Sequence, residues 1–374
     1  MLQACHGCGI PLLVSHELSW EANGAITLVS SPNNRMVFIE SETIDNLFTG
    51  IGELIGMPII HLVIESRSRE TKRYIERTFP REMRKTMAFK EMTGDVPEQG
   101  ISQEDKEAHL AAIRNIAQTI IDISRAYGYG DQRLSDLWES GGDFPWRSQI
   151  IRDPYSLLFI AADNVGAVEV FEETEMRVSY EEIEKDTYRI EVYPGKHLVA
   201  LKERLKRKRY DLKPGDISYD RCPQCGIPLE VAASNWVCED GTYTDPITGR
   251  RMAIFGPSAM DSVMDDLQSE LGEAIPETII EAQRKYIKEA WAGGSWKRSG
   301  SDFRHLIALR GLGDLVGFEG DRNHLSMKMQ NACLHLPMIG MTQALVELAY
   351  SVESSSCEWA LAEDGDLDMT FKVR

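Results

Sequence analysis

Four cysteines in two short motifs are the residues of this chain best suited to chemistry. Cys5 and Cys8 lie in a C-x-x-C-G-I-P-L pattern, and Cys222 and Cys225 lie in the same pattern 217 residues later. A C-x-x-C-G turn directs two thiolates at one point, because glycine lets the backbone fold back around the sulfurs. A closed tetrahedral site needs four ligands, so the two turns, called knuckles below, together predict a metal site.

Zinc is the metal predicted at these cysteines, with iron as the alternative, because tetrahedral sulfur sites suit both metals and zinc is the commoner structural choice. One ion shared by both knuckles is expected, and one ion in each half of the chain is the alternative. Four thiolates leave no open coordination position, so the predicted role is structural. The histidines, His197 among them, lack ligand spacing and are expected to be structural or exposed.

The knuckles begin a longer internal repeat. Further matches follow in the same order: Asn23-Gly24 with Asp240-Gly241, residues 35–39 with 251–255, Ile64-Glu65 with Ile280-Glu281, and Lys72 with Lys288. They predict a tandem duplication, with a first repeat at residues 1–215 and a second at 216–374. The first repeat is longer, and its excess near residues 80–126 is predicted to add a helix. A basic run at residues 202–209 and Pro214-Gly215 mark the junction.

Apolar spacing predicts the elements of each repeat. Residues 44–54, 59–78, 103–126 and 277–292 have the three-and-four spacing of helices. Short strands are predicted on both sides of a turn at residues 31–34, and hairpins are predicted at the end of each repeat. Helices segregated from small antiparallel sheets give an α+β class with two related halves.

Composition limits the possible functions. The 374 residues are 43% hydrophobic, and the net charge of −18 opposes direct DNA binding. No apolar stretch approaches the length that spans a bilayer, and no signal peptide is visible. A cytoplasmic location without membrane contact is therefore expected. No nucleophile elbow, phosphate loop or zinc-protease motif occurs, so no catalytic residue is predicted.

Two stretches of the second repeat resemble a known family. Residues 249–259 (G-R-R-M-A-I-F-G-P-S-A), with the helix end at 270–272, resemble the sensory domain of bacterial activators of aromatic catabolism. The part that follows resembles the 4-vinyl reductase domain joined to that region. Its features are Asn331-Ala332-Cys333, a helix through Gly340, then Glu353, Cys357 and Phe371. The first repeat has the same outline from Asp153-Pro154 to Val192.

The resemblance implies a small-molecule-binding α+β fold with a hydrophobic ligand between helices and sheet, and it implies a homodimer. Cysteines of the family's second domain hold zinc, and Cys333 and Cys357 match two of them. The family's later cysteine is missing, and Asp364 and Asp366 stand in that region. The ATPase and DNA-binding domains of those activators are also missing from this sequence.

A ligand pocket is predicted in the second repeat, under the helix from about Pro337 to Tyr350. Its expected lining is aromatic and methionine-rich: Trp291, Trp296, Phe303, Met338, Met341 and Leu345. The leading hypothesis is a sensor or carrier of a small hydrophobic molecule, with aromatic molecules among the candidates. The alternatives are an enzyme or enzyme accessory subunit acting on such a molecule, and a purely structural partner protein.

Overall fold

The computed structural model describes residues 3–78, 103–140, 143–205, 210–292, 303–321 and 323–373. Its helices are α1 Leu12–Glu17, α2 Glu42–Ile55, α3 Ile60–Thr78, α4 Gln103–Ala126, α5 Leu137–Ser140, α6 Leu157–Glu172, α7 Leu229–Ala232, α8 Pro257–Leu271, α9 Ile275–Ala290, α10 Phe303–Leu309 and α11 His335–Tyr350. Its strands are β1 Leu18–Trp20, β2 Ile26–Leu28, β3 Ser31–Glu40, β4 Asp131–Leu134, β5 Ser148–Arg152, β6 Met176–Glu184, β7 Thr187–Pro194, β8 Asn235–Val237, β9 Thr242–Thr244, β10 Arg251–Phe255, β11 Asp314–Gly320, β12 His324–Gln330, β13 Ser355–Leu361 and β14 Leu367–Val373.

The mixture of helices and small antiparallel sheets confirms the α+β class. The four helices predicted from apolar spacing are present as α2, α3, α4 and α9. Helix α2 illustrates the cause. Its apolar residues from Ile44 to Ile51 recur every three or four positions and are buried. The helix stops at Gly56, whose positive φ of 72° is a left-handed conformation that glycine adopts readily.

The turn predicted at residues 31–34 is wrong. Leu28 pairs with Ser31, which closes a tighter turn, and Thr27 pairs with Arg35. Residues 32–34 are therefore an irregularity within β3. Pro32 has no N–H to give to a strand ladder, so this segment tolerates an interruption in pairing.

The chain divides into two compact units. The large unit contains Met1–Ile59, Glu203–Val237 and Tyr243–Arg374, and the small unit contains Ile60–Lys202 and Cys238–Thr242. These units do not follow the predicted repeats, because the first 59 residues cluster with the end of the chain. The repeat boundary at residue 215 concerns likeness in sequence, and it stays a prediction.

A six-stranded sheet in the order β1-β2-β3-β10-β9-β8 lies in the large unit. Its central pair is antiparallel, and Phe38 faces Ile254 across it. Successive residues of both strands, Val37–Ile39 and Met252–Phe255, are buried, so both faces of the sheet are covered at its centre. This pairing joins strands that are more than 200 residues apart in the chain.

Each unit also holds a four-stranded antiparallel sheet with the same strand order. The order is β4-β5-β7-β6 in the small unit and β11-β12-β14-β13 in the large unit. Helix α6 packs on α3 in the small unit, and α11 packs on α9 in the large unit. A glycine-rich turn precedes the first strand of each sheet, and Gly130 and Gly313 in these turns both have positive φ.

No helix in the described ranges combines the length and the apolar composition that a bilayer-crossing segment needs.

Candidate metal centre

Two backbone hydrogen bonds close each cysteine turn. The Cys5 N–H donates to the Ile10 carbonyl, and the Gly9 N–H donates to the Cys5 carbonyl, both over 2.8 Å. Residues 222–227 repeat both bonds, with lengths of 2.8 and 2.9 Å. Gly9 and Gly226 have positive φ angles of 80° and 76°. Because glycine has no Cβ, it takes this conformation at little cost, and the chain reverses around the sulfurs.

The structure brings the four knuckle cysteines together. The Sγ atoms of Cys5 and Cys222 are 4.0 Å apart, and those of Cys8 and Cys225 are 3.5 Å apart. All four sulfurs lie within 4.8 Å of one another. A tetrahedral metal with bonds of about 2.3 Å to sulfur separates its ligand atoms by about 3.8 Å. The sulfur cluster therefore has the size of a tetrahedral thiolate site.

Burial differs between the two cysteines of each knuckle. Cys5 and Cys222 keep 5% and 2% of their surface exposed, whereas Cys8 and Cys225 are half-buried. The first cysteine of each knuckle thus faces the protein and the second lies nearer the solvent. An ion could enter from the side of Cys8 and Cys225.

The surroundings of the thiols move their pKa values in opposite directions. Backbone N–H groups of Cys225 and Gln224 lower the pKa of Cys222 to about 7. Burial raises the pKa of Cys8 to about 12, and burial also raises the pKa of Cys225. Adjacent thiolates repel one another, and a divalent cation between them removes that repulsion. The donor set therefore fits zinc or iron in a tetrahedral sulfur site.

Hydrogen bonds from Arg221 hold the second knuckle in place. Arg221 donates to the Gly226 carbonyl over 2.8 Å and to the Trp20 carbonyl over 2.6 Å. The Gln224 Oε1 atom lies 3.8 Å from the Cys5 sulfur. Arg221 thus joins the second knuckle to strand β1, which follows the first knuckle.

The two cysteines that match the family's zinc ligands lie elsewhere. The Cys333 thiol is buried and donates to the Gly311 carbonyl over 3.4 Å. Cys357 lies on β13. Across the described ranges, the knuckle cysteines are the one group of three or more potential ligands close enough to share an ion.

Three of the predicted ligand-binding residues pack together. Trp291 follows the last residue of α9, and Met341 and Leu345 on α11 pack against the cluster that contains it. Met338 is buried in α11, and Phe303 begins α10 and is half-buried. Trp296 lies outside the described residues. Ligand binding by this set stays a prediction.

Two arginine side chains lie near the ring of Trp291. The guanidinium carbons of Arg250 and Arg310 lie 5.6 and 5.8 Å from the centre of its ring. Arg310 forms a buried ion pair with Glu40. The indole Nε1 is buried and has no hydrogen-bond partner among the described residues.

An open cleft of about 410 Å³ lies on the large unit. Charged residues line it: Arg284, Lys285, Lys288, Glu289 and Glu353. None of the predicted ligand-binding residues that the structure describes is among them. The chemistry of this cleft is thus different from the apolar pocket expected under α11.

A charged cluster in the small unit was not predicted from the sequence. His197, expected to be structural or exposed, lies between the carboxylates of Glu65 and Glu169. The sequence did hold a signal for this cluster, because the predicted repeat aligns Glu65 with Glu281 and Lys72 with Lys288. Charged residues that recur at matching positions of two helices indicate a shared structural use.

Comparisons of this chain with protein-family models, with curated proteins and with solved structures found no match. The resemblance to aromatic-compound sensors stays a prediction from the sequence.

Proposed function

We propose that this chain is a small-molecule-binding protein whose two repeats are joined by one structural zinc ion at Cys5, Cys8, Cys222 and Cys225. The convergence of all four sulfurs within 4.8 Å carries the metal part of this proposal. Each repeat supplies one knuckle, so neither repeat has a complete ligand set. An ion held there ties together segments that are 217 residues apart.

The proposed duplication is supported by matching details beyond the knuckles. The two four-stranded sheets have the same strand order. The contacts of the glycine turns are also reciprocal. The Gly313 N–H donates to the Gly24 carbonyl over 3.1 Å, and the Gly130 N–H donates to the Gly241 carbonyl over 3.0 Å. In both cases, a turn near the start of one proposed repeat accepts a hydrogen bond from the glycine turn that precedes the four-stranded sheet of the other proposed repeat.

Metal analysis tests the proposed site. We expect about one zinc ion per chain in protein purified without added metal. A Cys5→Ser/Cys222→Ser double variant should lose the ion and unfold at a lower temperature, because structural zinc contributes about 10 kcal/mol or more of apparent binding energy. Cys357→Ser is the matched control and should keep the ion.

Other outcomes of the metal analysis are equally informative. Iron in place of zinc would keep the site and change its metal. Two ions per chain would favour separate sites in each half. Metal retained by the double variant would contradict the proposal.

The ligand proposed for the second repeat is a hydrophobic, aromatic molecule that carries a hydrogen-bond acceptor. The aromatic and methionine side chains around Trp291 are typical of a site for such a molecule. The buried indole N–H and the nearby guanidinium groups of Arg250 and Arg310 would favour an acceptor on the ligand. Sensing or transport is the leading function, since the sequence offers no catalytic motif.

Mass spectrometry of the denatured protein tests the ligand proposal. A co-purified aromatic compound should raise the melting temperature as its concentration rises. Trp291→Phe keeps an aromatic ring and removes the N–H, so it should weaken that response, whereas Trp359→Phe should not. Turnover of the compound would favour the enzyme alternative. If a broad panel of aromatic compounds gives no thermal shift, the ligand proposal fails.

The predicted homodimer and cytoplasmic location belong to the same proposal, and light scattering would test the dimer.

A further inference from the structure

Glu347 in the large unit is a fully buried carboxylate clamped by two permanent cations. Its Oε2 atom lies 2.8 Å from Nη1 of Arg284 and 2.9 Å from Nζ of Lys288. Its Oε1 atom accepts the Ser355 N–H over 2.8 Å. Arg284 also contacts Glu281, with Nε 2.7 Å from a carboxylate oxygen. One guanidinium thus bridges two glutamates.

Glu169 in the small unit has a related set of partners. Its carboxylate lies 3.2 Å from Nζ of Lys72 and accepts the Met176 N–H over 2.9 Å. Nε2 of His197 lies 2.9 Å from it, and Nδ1 of the same ring lies 2.5 Å from Oε2 of Glu65. Glu65 and Lys72 are the residues that the sequence aligns with Glu281 and Lys288. The cation that bridges the two glutamates is therefore histidine here and arginine in the large unit.

The two clusters differ in how their negative charges are balanced. Arg284 stays protonated in proteins, so the two carboxylates of the large unit always face Arg284 and Lys288, and Lys285 lies 3.9 Å from Glu281. In the small unit, Glu65 and Glu169 are balanced by Lys72 and His197 only while the imidazole is charged. A neutral imidazole has one N–H, so one ring nitrogen would then point a lone pair at a carboxylate. Proton loss thus leaves an uncompensated, poorly solvated negative charge.

His197 also differs from Arg284 in where it lies in the chain. It does not lie on a helix but in the segment that follows β7. The next residue, Leu198, donates its N–H to Oε1 of Glu65 over 2.9 Å. Arg69 on α3 donates to the Lys202 carbonyl over 2.9 Å. Together with the contacts of His197 to Glu65 and Glu169, these hydrogen bonds attach residues 197–202 to helices α3 and α6.

We propose that His197 is a proton-controlled latch. The charged imidazole fastens residues 197–202 to the small unit, and loss of its proton weakens the attachment. The charged groups that face it are Glu65, Lys72 and Glu169, with Arg69 further along the same segment. Proton loss removes the positive charge between the two carboxylates, so the latch loosens when the imidazole becomes neutral. The inference does not depend on the metal or on the ligand.

Hydrogen exchange of the full-length protein tests the latch. We expect protection of the peptide containing Leu198, corrected for intrinsic exchange, to fall about tenfold or more between about pH 5.5 and about pH 8, because a hydrogen bond to a charged group is lost. The peptide containing Ser355 is the internal reference. Its amide is bound by Glu347 beside Arg284, so its protection should stay constant over this range.

Two variants separate the latch from a merely structural histidine. His197→Gln cannot carry the charge and should give low protection of the segment at both pH values. Glu65→Gln supplies an amide that can donate to a neutral imidazole and still accept the Leu198 N–H. It should therefore keep the segment attached at the higher pH, where the imidazole is neutral, and remove the fall in protection seen there in the wild-type protein. Equal protection of the wild-type segment at both pH values, or an unchanged pH step in His197→Gln, would overturn the proposal.

Discussion

Nζ of Lys288 lies 2.9 Å from the carboxylate of Glu347, whose side chain has no exposed surface. The ammonium group also donates to the Val352 carbonyl over 3.2 Å and to the Glu353 carbonyl. Lys288 therefore joins helix α9 to the end of α11 and to the loop that follows it. Because Glu347 also binds the first amide of β13, this pair sets where the last hairpin begins.

Lys288→Met should destabilise the large unit by about 2 kcal/mol, because the hydrogen bond from its charged ammonium group to the buried Glu347 carboxylate is lost. Chemical denaturation of the metal-loaded protein measures this change. Lys285→Met is the matched control on the same helix. Lys285 is largely exposed and lies 3.9 Å from Glu281, so its loss should change the unfolding free energy by about 0.5 kcal/mol or less. Equal effects of the two variants would contradict the role of Lys288.

Metal affinity should rise steeply with pH. Metal binding displaces thiol protons, and each displaced proton adds about a factor of ten in apparent affinity per pH unit. The raised pKa values of Cys8 and Cys225 keep both protonated in the metal-free protein between about pH 7 and about pH 9. The logarithm of apparent affinity should therefore rise by at least two per pH unit there.

Below about pH 7 the dependence should become steeper still. Cys222, with its pKa lowered to about 7, is then protonated as well and adds a further displaced proton. The lowered pKa of Cys222 also makes the stability of the metal-free protein depend on pH. Its stabilising contribution is complete above its ordinary pKa of about 9 and is lost as pH falls through about 7. Competition with a coloured chelator measures the slope, and a slope below two throughout would contradict a four-thiolate site.

Arg310→Met should destabilise the large unit by about 3–5 kcal/mol. Arg310 and Glu40 form a two-point ion pair with N–O distances of 2.7 Å, and their side chains are only 7% and 6% exposed. The single variant leaves the Glu40 charge buried without this cation. Glu40→Met/Arg310→Met removes both charges and should recover most of the loss. Thermal unfolding of the two variants checks this, and a double variant less stable than the single one would argue against it.

Gly24→Ala should destabilise the protein more than Gly56→Ala. Both glycines have positive φ, 76° and 72°, so alanine costs each about 1 kcal/mol in backbone strain. A Cβ at Gly24 would also lie 2.1 Å from the carbonyl oxygen of Gly313, whereas a Cβ at Gly56 meets no atom within 4 Å. Denaturant midpoints of the two variants give the comparison. Similar midpoints would mean that the contact between Gly24 and Gly313 is dispensable.

Local chemistry in the sequence determined several features of this protein. The knuckle turns follow from glycine after C-x-x-C, and α2 follows from apolar spacing and a glycine stop. The final hairpins, predicted at residues 177–192 and 357–373, form at residues 176–194 and 355–373. Each of these depends on interactions between residues that are near one another in the chain, which is why a single sequence reveals them.

Only the tertiary structure decided which segments that are far apart in the chain contact one another. Pairing of β3 with β10 and the contact of Arg221 with Trp20 hold the two knuckles together, and no local pattern specifies either. The place of His197 between two glutamates likewise depends on how the segment after β7 returns to α3 and α6. Which segments form each compact unit was also not evident from the sequence, since residues 1–59 cluster with the end of the chain. The sequence by itself determined the four thiols and their turns, whereas long-range strand pairing and the contact of Arg221 with Trp20 decided that they meet, because those contacts depend on the whole packed chain.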